Sequence, residues 1–292
     1  MKSNGGFFKS NWAYLLWFCF YFSFAVFVVY LFTSDIVISL VLTALIYSLC
    51  VGIALSPVGE VIVRIMEGAR PIHTQDDKDY LLPIFEEVYE EAKKYTPSIN
   101  QNIQLYITDS MAVNAFAVGR KTVAVTRGAI YAFSADELKG ILGHELGHMA
   151  NGDTKALLIQ LVGNGFFSLI IFVLRLVMNI IQMLSNALSG KNVIIFVIAF
   201  VAFLSRLLID ASIFLFLFIG DVILALNSRY SEYLADEYAY LIGFGEDLKS
   251  ALYVISKVSM PRKATLTERL KASHPYTSAR IERLENMLTK TA

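Results

Sequence analysis

Residues 143–153 read GHELGHMANGD, and His144, Glu145 and His148 within them spell H-E-x-x-H. On a helix, positions four apart lie on one face, one turn from each other, so both imidazoles can reach a single cation. Glu145 sits about 100° further round the helix axis. It can work on water beside that cation without being a ligand. This is the arrangement of a metallopeptidase: the metal acidifies water and polarises the substrate carbonyl, and the carboxylate takes the proton and returns it. Nitrogen ligands with an open position suit zinc, one ion per chain. H-E-x-x-H also arises by chance on amphipathic helices. Here the setting argues for chemistry, because two of the four histidines in the chain lie in the motif. Ser134 and Glu137 also form an S-x-x-E capping pattern where its helix should begin.

A catalytic zinc takes a third protein ligand. The stretch SRYSEYLADEYA (228–239) offers Glu232 and Asp236, four apart and so on one helix face. Glu232 could bind the metal while Asp236 accepts the second N–H of a histidine and fixes its tautomer. Asp236 and Glu237 compete for the ligand role, and an acidic, solvated helix would read the same way.

The elements that must position these residues are mostly apolar. Of 292 residues, 56% are hydrophobic and 17% charged, against about half and about a quarter in ordinary soluble domains. Lys and Arg equal Asp and Glu at 25 each, which argues against a nucleic-acid binder. Cys19 and Cys50 lie in apolar runs without a C-x-x-C partner and read as free thiols. No charge occurs between Lys9 and Asp35 or between Asp35 and Glu60. Each gap supplies the roughly 20 apolar residues a spanning helix needs, and TSD joins the two into a hairpin. The first run is too long for the core of a cleaved signal. A second apolar pair, about 156–181 and 193–226, follows the motif, with SNALSGK as its turn. Arg175, Arg206, Asp210 and Asp221 interrupt this pair, and Arg206 and Asp210 can meet at i,i+4.

Lys2, Lys9, Arg64, Arg70 and Lys155 flank the spans on one side and only Lys191 lies in the opposite loops. The polar part and both termini are therefore expected in the cytoplasm. The organisation is a membrane hairpin at 1–60, a first catalytic part at 61–154, a second membrane hairpin at 155–226 and a second catalytic part at 227–292. In the first catalytic part, Leu81, Phe85, Val88 and Ala92 recur at helical spacing within 77–95. IQLYIT reads as a strand, and NAFAVG and TVAVT read as a β-hairpin about RK.

GHELGHMANGD, SRYSEYLADEYA and HPYTSARI together resemble the HtpX family of membrane-bound zinc metalloproteases, relatives of the CAAX prenyl proteases and the mitochondrial Oma proteases. The resemblance covers nearly the whole chain. It implies an α+β, mainly helical integral membrane protein with four transmembrane helices, a zincin-type catalytic domain and a small β-sheet. It implies that His144, His148 and Glu232 bind zinc, that Glu145 is general base and acid, and that Asp236 stands behind the ligands. NAFAVG resembles the family's N-A-F-A element, whose edge strand lines the substrate. Asn114, Ala115 and Phe116 would hold a peptide by strand addition, with Phe116 in the core as the plainer alternative. HPYTSARI matches H-P-x-x-x-x-R-I, so His274 could donate to the developing oxyanion and Arg280 could orient carboxylates. His274 and Pro275 could equally cap a helix.

The implied activity is a zinc endopeptidase of the bacterial inner membrane, cutting cytoplasmic segments of damaged or misfolded membrane proteins. The implied partners are unfolded or membrane-protein substrates and the lipid bilayer. A prenyl-peptide protease is the rival of the same chemistry. An intramembrane-cleaving protease fits less well, because Asp136, Glu137 and Lys139 precede the motif on its own helix. A non-proteolytic zinc-binding scaffold or chaperone would have no use for Glu145.

Overall fold

The absence of charge decides the first two helices. In the computed structural model, residues 5–99, 102–188, 193–258 and 277–290 are described. Helix α1 spans Gly5–Thr33 and α2 spans Ile36–Leu55. Trp12–Thr33 and all of α2 are long and apolar enough to cross a membrane. Asp35, between them, caps α2 by accepting from the backbone N–H groups of Val37 and Ile38 at 2.8 and 3.0 Å. Large apolar side chains such as Leu31, Phe32, Leu45 and Leu49 stand outward along both helices.

Ser56 ends this run and caps a short helix, α3 (Pro57–Met66), with Pro57 in its first turn. The chain then forms β1 (Ala69–Pro71) and α4 (Gln75–Tyr95). The positions expected to face inward on α4, Leu81, Phe85, Val88 and Ala92, are all buried. Strand β2 (Gln104–Thr108) follows, then the hairpin of β3 (Ala115–Val118) and β4 (Thr122–Thr126). The sheet order is β1-β2-β4-β3, with β2 and β4 parallel and the outer pairs antiparallel. β3 is therefore an edge strand. β1 and the six-residue α5 (Arg127–Ala132) were not expected, since neither is long enough to show a period.

Helix α6 (Ala135–Asn151) carries the metal motif, and its expected capping box is formed at both hydrogen bonds, Ser134 N–H to Glu137 at 2.8 Å and Glu137 N–H to Ser134 at 3.3 Å. Its buried Leu138, Leu142 and Leu146 pack in one core with α4, the sheet and helices later in the chain. Burying a leucine of this kind contributes ~2 kcal/mol. Those later helices are α9 (Gly245–Val258) and α10 (Thr277–Thr289). Gly140 lets α9 come against α6: a Cβ there would lie 2.2 Å from the Leu248 backbone nitrogen.

Helices α7 (Asp153–Leu188) and α8 (Val193–Leu241) are 36 and 49 residues long. α8 does not stop where its apolar stretch ends near 226. No glycine or proline interrupts Asn227–Leu241, so the hydrogen-bond ladder continues through Glu232 and Asp236 before Gly243, at φ 98°, ends the run. Between α7 and α8, Arg175 Nε meets Asp210 Oδ1 at 3.0 Å. The expected i,i+4 contact from Arg206 is looser, at 3.8 Å.

Candidate metal centre

The motif helix and the polar end of α8 lie side by side. His144 Nε2 and His148 Nε2 are 3.2 Å apart, and the two rings are nearly perpendicular at 86°. Glu232 reaches both, with Oε2 3.5 Å from His144 Nε2 and Oε1 3.5 Å from His148 Nε2. The donor atoms of His144, His148 and Glu232 all lie within 4.8 Å of one another and could hold a metal ion.

The far side of each imidazole explains why the near side suits a cation. His144 Nδ1 is 2.9 Å from Asp236 Oδ1, and His148 Nδ1 is 2.9 Å from Asp153 Oδ2. A carboxylate opposite Nδ1 keeps the proton there and turns the Nε2 lone pair inward. Two lone pairs and a carboxylate oxygen then converge, a set that repels itself until a proton or a metal ion satisfies it. Two imidazoles and one carboxylate are also a ligand set that zinc accepts.

Asp153 is not among the residues the sequence spacing singles out. Gly152 adopts φ 83° and caps α6. It also swings the first residue of α7 back beside His148. A helix-ending glycine followed at once by an acid, five positions after a ligand histidine, is the signal that would have found it.

Arg280 of α10 closes the back of the site. It is buried, and its guanidinium grips Asp236 twice, Nε to Oδ2 at 2.8 Å and Nη2 to Oδ1 at 2.6 Å. Its Nη1 lies 2.8 Å from Glu232 Oε2, and its Nη2 lies 3.3 Å from His144 Nδ1. A planar fork with several fixed donors is suited to holding two carboxylates at once. Burial alone would raise the Asp236 pKa, but the hydrogen bonds and charges of His144 and Arg280 hold it below its usual value. Burial and Arg280 oppose protonation of His144, while its contacts with Asp236 and Glu232 outweigh them and raise its pKa. In His148, burial is likewise outweighed, by Asp153 and Glu232.

Glu145 is partly buried, and that burial raises its pKa despite the nearby histidines. It also takes a hydrogen bond from the backbone of Ala117, so the sheet edge meets the metal motif at this carboxylate. The ladder explains the orientation. Thr126 N–H donates to Asn114 C=O at 3.0 Å. In an antiparallel pair the bonded residues alternate, so the main chain of Phe116 and Val118 points to β4, and that of Ala115 and Ala117 points off the free edge. Asn114 uses its main chain inside the sheet, its N–H donating to Thr126 Oγ1 at 3.1 Å. The Phe116 side chain packs on the cluster of Ala54, Val63, Val118 and Leu158. Thus His144, His148, Glu232, Asp236, Arg280, Glu145 and the edge strand at Ala117 come together. His274 lies outside the described residues.

Residues 78–288 match the model of "Peptidase family M48". Among similar proteins, one from Shewanella baltica (strain OS185) named "Protease HtpX" is 38% identical over 141 residues, which is 46% of this chain and 46% of its own length. Another of that name, from Shewanella pealeana, is 33% identical over 201 residues, 62% of this chain and 66% of its own. The chain thus spans about half to two thirds of the length of such relatives. Among solved structures, "Crystal Structure of S. mikatae Ste24p" aligns with a TM-score of 0.47 at 19% identity, over 90% of this chain and 61% of the other. The family match begins within α4 and ends within α10, so it takes in every element that supplies a residue to this site, and the chain belongs to peptidase family M48.

Proposed function

We propose that the chain is a membrane-bound zinc endopeptidase of HtpX type, with one zinc held by His144, His148 and Glu232. The observation that carries this reading is the convergence of those three side chains beside Glu145, each histidine backed by a carboxylate. Bound there, zinc would supply Lewis-acid polarisation of the scissile carbonyl and a more acidic water. Glu145 takes the proton of the attacking water and delivers it to the leaving amine. Asp236 and Asp153 hold the two imidazoles in the ligating tautomer, and Arg280 holds Asp236 and Glu232 in place. A peptide adds to the free edge of β3 as a further strand, bonded by the main chain at Ala115, next to Asn114 and Phe116. That places its backbone beside Glu145. His274 serves as a donor to the oxyanion.

The same reading takes α7 and α8 as two further membrane spans, four in all, with a zincin-type catalytic domain on the cytoplasmic side of a bacterial inner membrane. Helices of 36 and 49 residues exceed the roughly 20 residues needed to cross, which leaves length for α8 to emerge and carry Glu232. Substrates are damaged or misfolded membrane proteins, cut in segments that emerge near the bilayer.

The decisive experiment uses purified full-length protein with zinc and an unfolded substrate such as casein. Glu145→Gln should remove cleavage by at least about 100-fold, the scale of a lost general base, while zinc stoichiometry stays at one. Cleavage retained by the variant would sink the mechanism.

A further inference from the structure

The helix between the membrane hairpin and the sheet has two unlike faces. On α3, Gly59, Glu60 and Val63 are buried, while Val58, Ile62, Ile65 and Met66 are 56%, 45%, 74% and 74% exposed. The exposed residues fall at i, i+4, i+7 and i+8, one continuous apolar stripe. This stripe starts three residues after the last residue of α2, whose own apolar side chains also face outward.

Behind α3 lies a cleft of ≈ 880 Å³, lined by Arg64, Arg120 and Lys121 together with Leu55, Glu60 and Tyr106. The Arg64 guanidinium sits over the Tyr106 ring at 4.7 Å and donates to its hydroxyl. Lys155, at the start of α7, shares a second hollow with Arg120. Glu60 is the acid in the cleft wall, and it is engaged there. Its Oε1 accepts from Arg120 N–H at 2.6 Å, and Oε2 lies 3.4 Å from Thr122 Oγ1. Those two residues frame the β3–β4 turn. On the other side of the turn, Thr154 Oγ1 donates to Gly119 C=O at 2.6 Å. Val63 joins Val118 and Leu158 in one small core.

We propose that α3 lies in the headgroup layer of an anionic bilayer and that Glu60 transmits its seating to the edge strand β3. The stripe enters the acyl boundary, as an amphipathic helix with basic neighbours does. Arg64, Lys121 and Lys155 meet lipid phosphates. Continuity with the apolar surface of α2 selects lipid over a protein partner. Through Glu60 and Val63, a shift of α3 moves the β3–β4 turn and hence the strand next to Glu145. The consequence for catalysis rests on the peptide-edge reading of β3; the seating of α3 does not.

The test uses the full chain in nanodiscs of phosphatidylcholine, alone or with phosphatidylglycerol, and needs no cleavage assay. A nitroxide at Ile65→Cys, in a Cys19→Ser/Cys50→Ser background, should collide with oxygen far more than with an aqueous nickel complex. Dominance of nickel would overturn the seating and make the stripe a protein-docking face. Amide exchange of Val118–Val125 in the unsubstituted chain should be about tenfold slower in the anionic disc, and Glu60→Ala should abolish that difference. Equal exchange in both discs before substitution would overturn the lipid coupling, and a difference that survives Glu60→Ala would remove Glu60 from it. A chain inactive as a protease yet passing these measurements would sink only the proposed activity.

Discussion

At the scale of single residues, the proposed chemistry rests on what lies behind each candidate ligand. Asp236 backs His144, and Asp153 backs His148, each at 2.9 Å. Loss of such a partner typically weakens metal binding by about 10- to 100-fold. Asp153→Ala should therefore lower zinc affinity by that order, measured by chelator competition on the purified chain, whereas an unchanged dissociation constant would deny the residue its positioning role. Glu232→Ala should go further and lower zinc stoichiometry below one. The two aspartates differ in legibility. Asp236 stands four residues from Glu232 on a helix whose period can be counted. Asp153 reaches His148 only because Gly152 turns the chain, and spacing along one helix does not describe a reversal.

At the scale of elements, a buried-edge ion pair ties α4 to the helix after β4. The Arg127 guanidinium takes both carboxylate oxygens of Asp77, at 2.5 and 2.7 Å. Those hydrogen bonds hold the Asp77 pKa down at about 2, against 3.8 for the free group. A depressed folded-state value means stability that is complete above the unfolded pKa and lost as pH falls through the folded one. The pair should thus contribute fully above about pH 4 and vanish towards about pH 2. Thermal midpoints of the detergent-solubilised chain should separate unsubstituted protein from Asp77→Asn above that window and converge below it. A constant gap across the range would point to packing rather than charge. Most elements announced themselves. The period of α4, the capping box of α6 and the alternation of the β3–β4 hairpin are local patterns. β1 and α5 did not, because three and six residues are too few for either period to repeat, and α3 and α9 were not anticipated either.

At the scale of the whole molecule, one apolar helix pair separates the parts that must meet. Glu232 follows His148 by 84 positions, and α7 and α8 fill the interval. If α7 and α8 span the bilayer as proposed, both ends of that pair must return to one side of it for the site to form. A reporter fused at the C-terminus should read cytoplasmic, on the same side as one inserted in the loop at Gly68. Opposite readings would separate Glu232 from the histidines and refute the four-span arrangement. Arg175 and Asp210, paired between α7 and α8 at 3.0 Å, give those helices a polar contact that ties them together.

The sequence by itself determined the candidate metal motif, the capped helix that carries it, the first apolar helical hairpin and the sheet hairpin. Each depends on residues near one another in the chain, where period and capping chemistry act. The tertiary structure alone decided which acid backs His148, that β3 lies at the edge with Ala115 and Ala117 turned outward, and that α8 runs unbroken from apolar surroundings into the site. It also decided that Arg280 reaches Asp236, Glu232 and His144 together. These facts follow from how helices pack and strands pair across long separations. That packing is set by close approach, as at Gly140, and by ladder parity, and neither is written in local spacing.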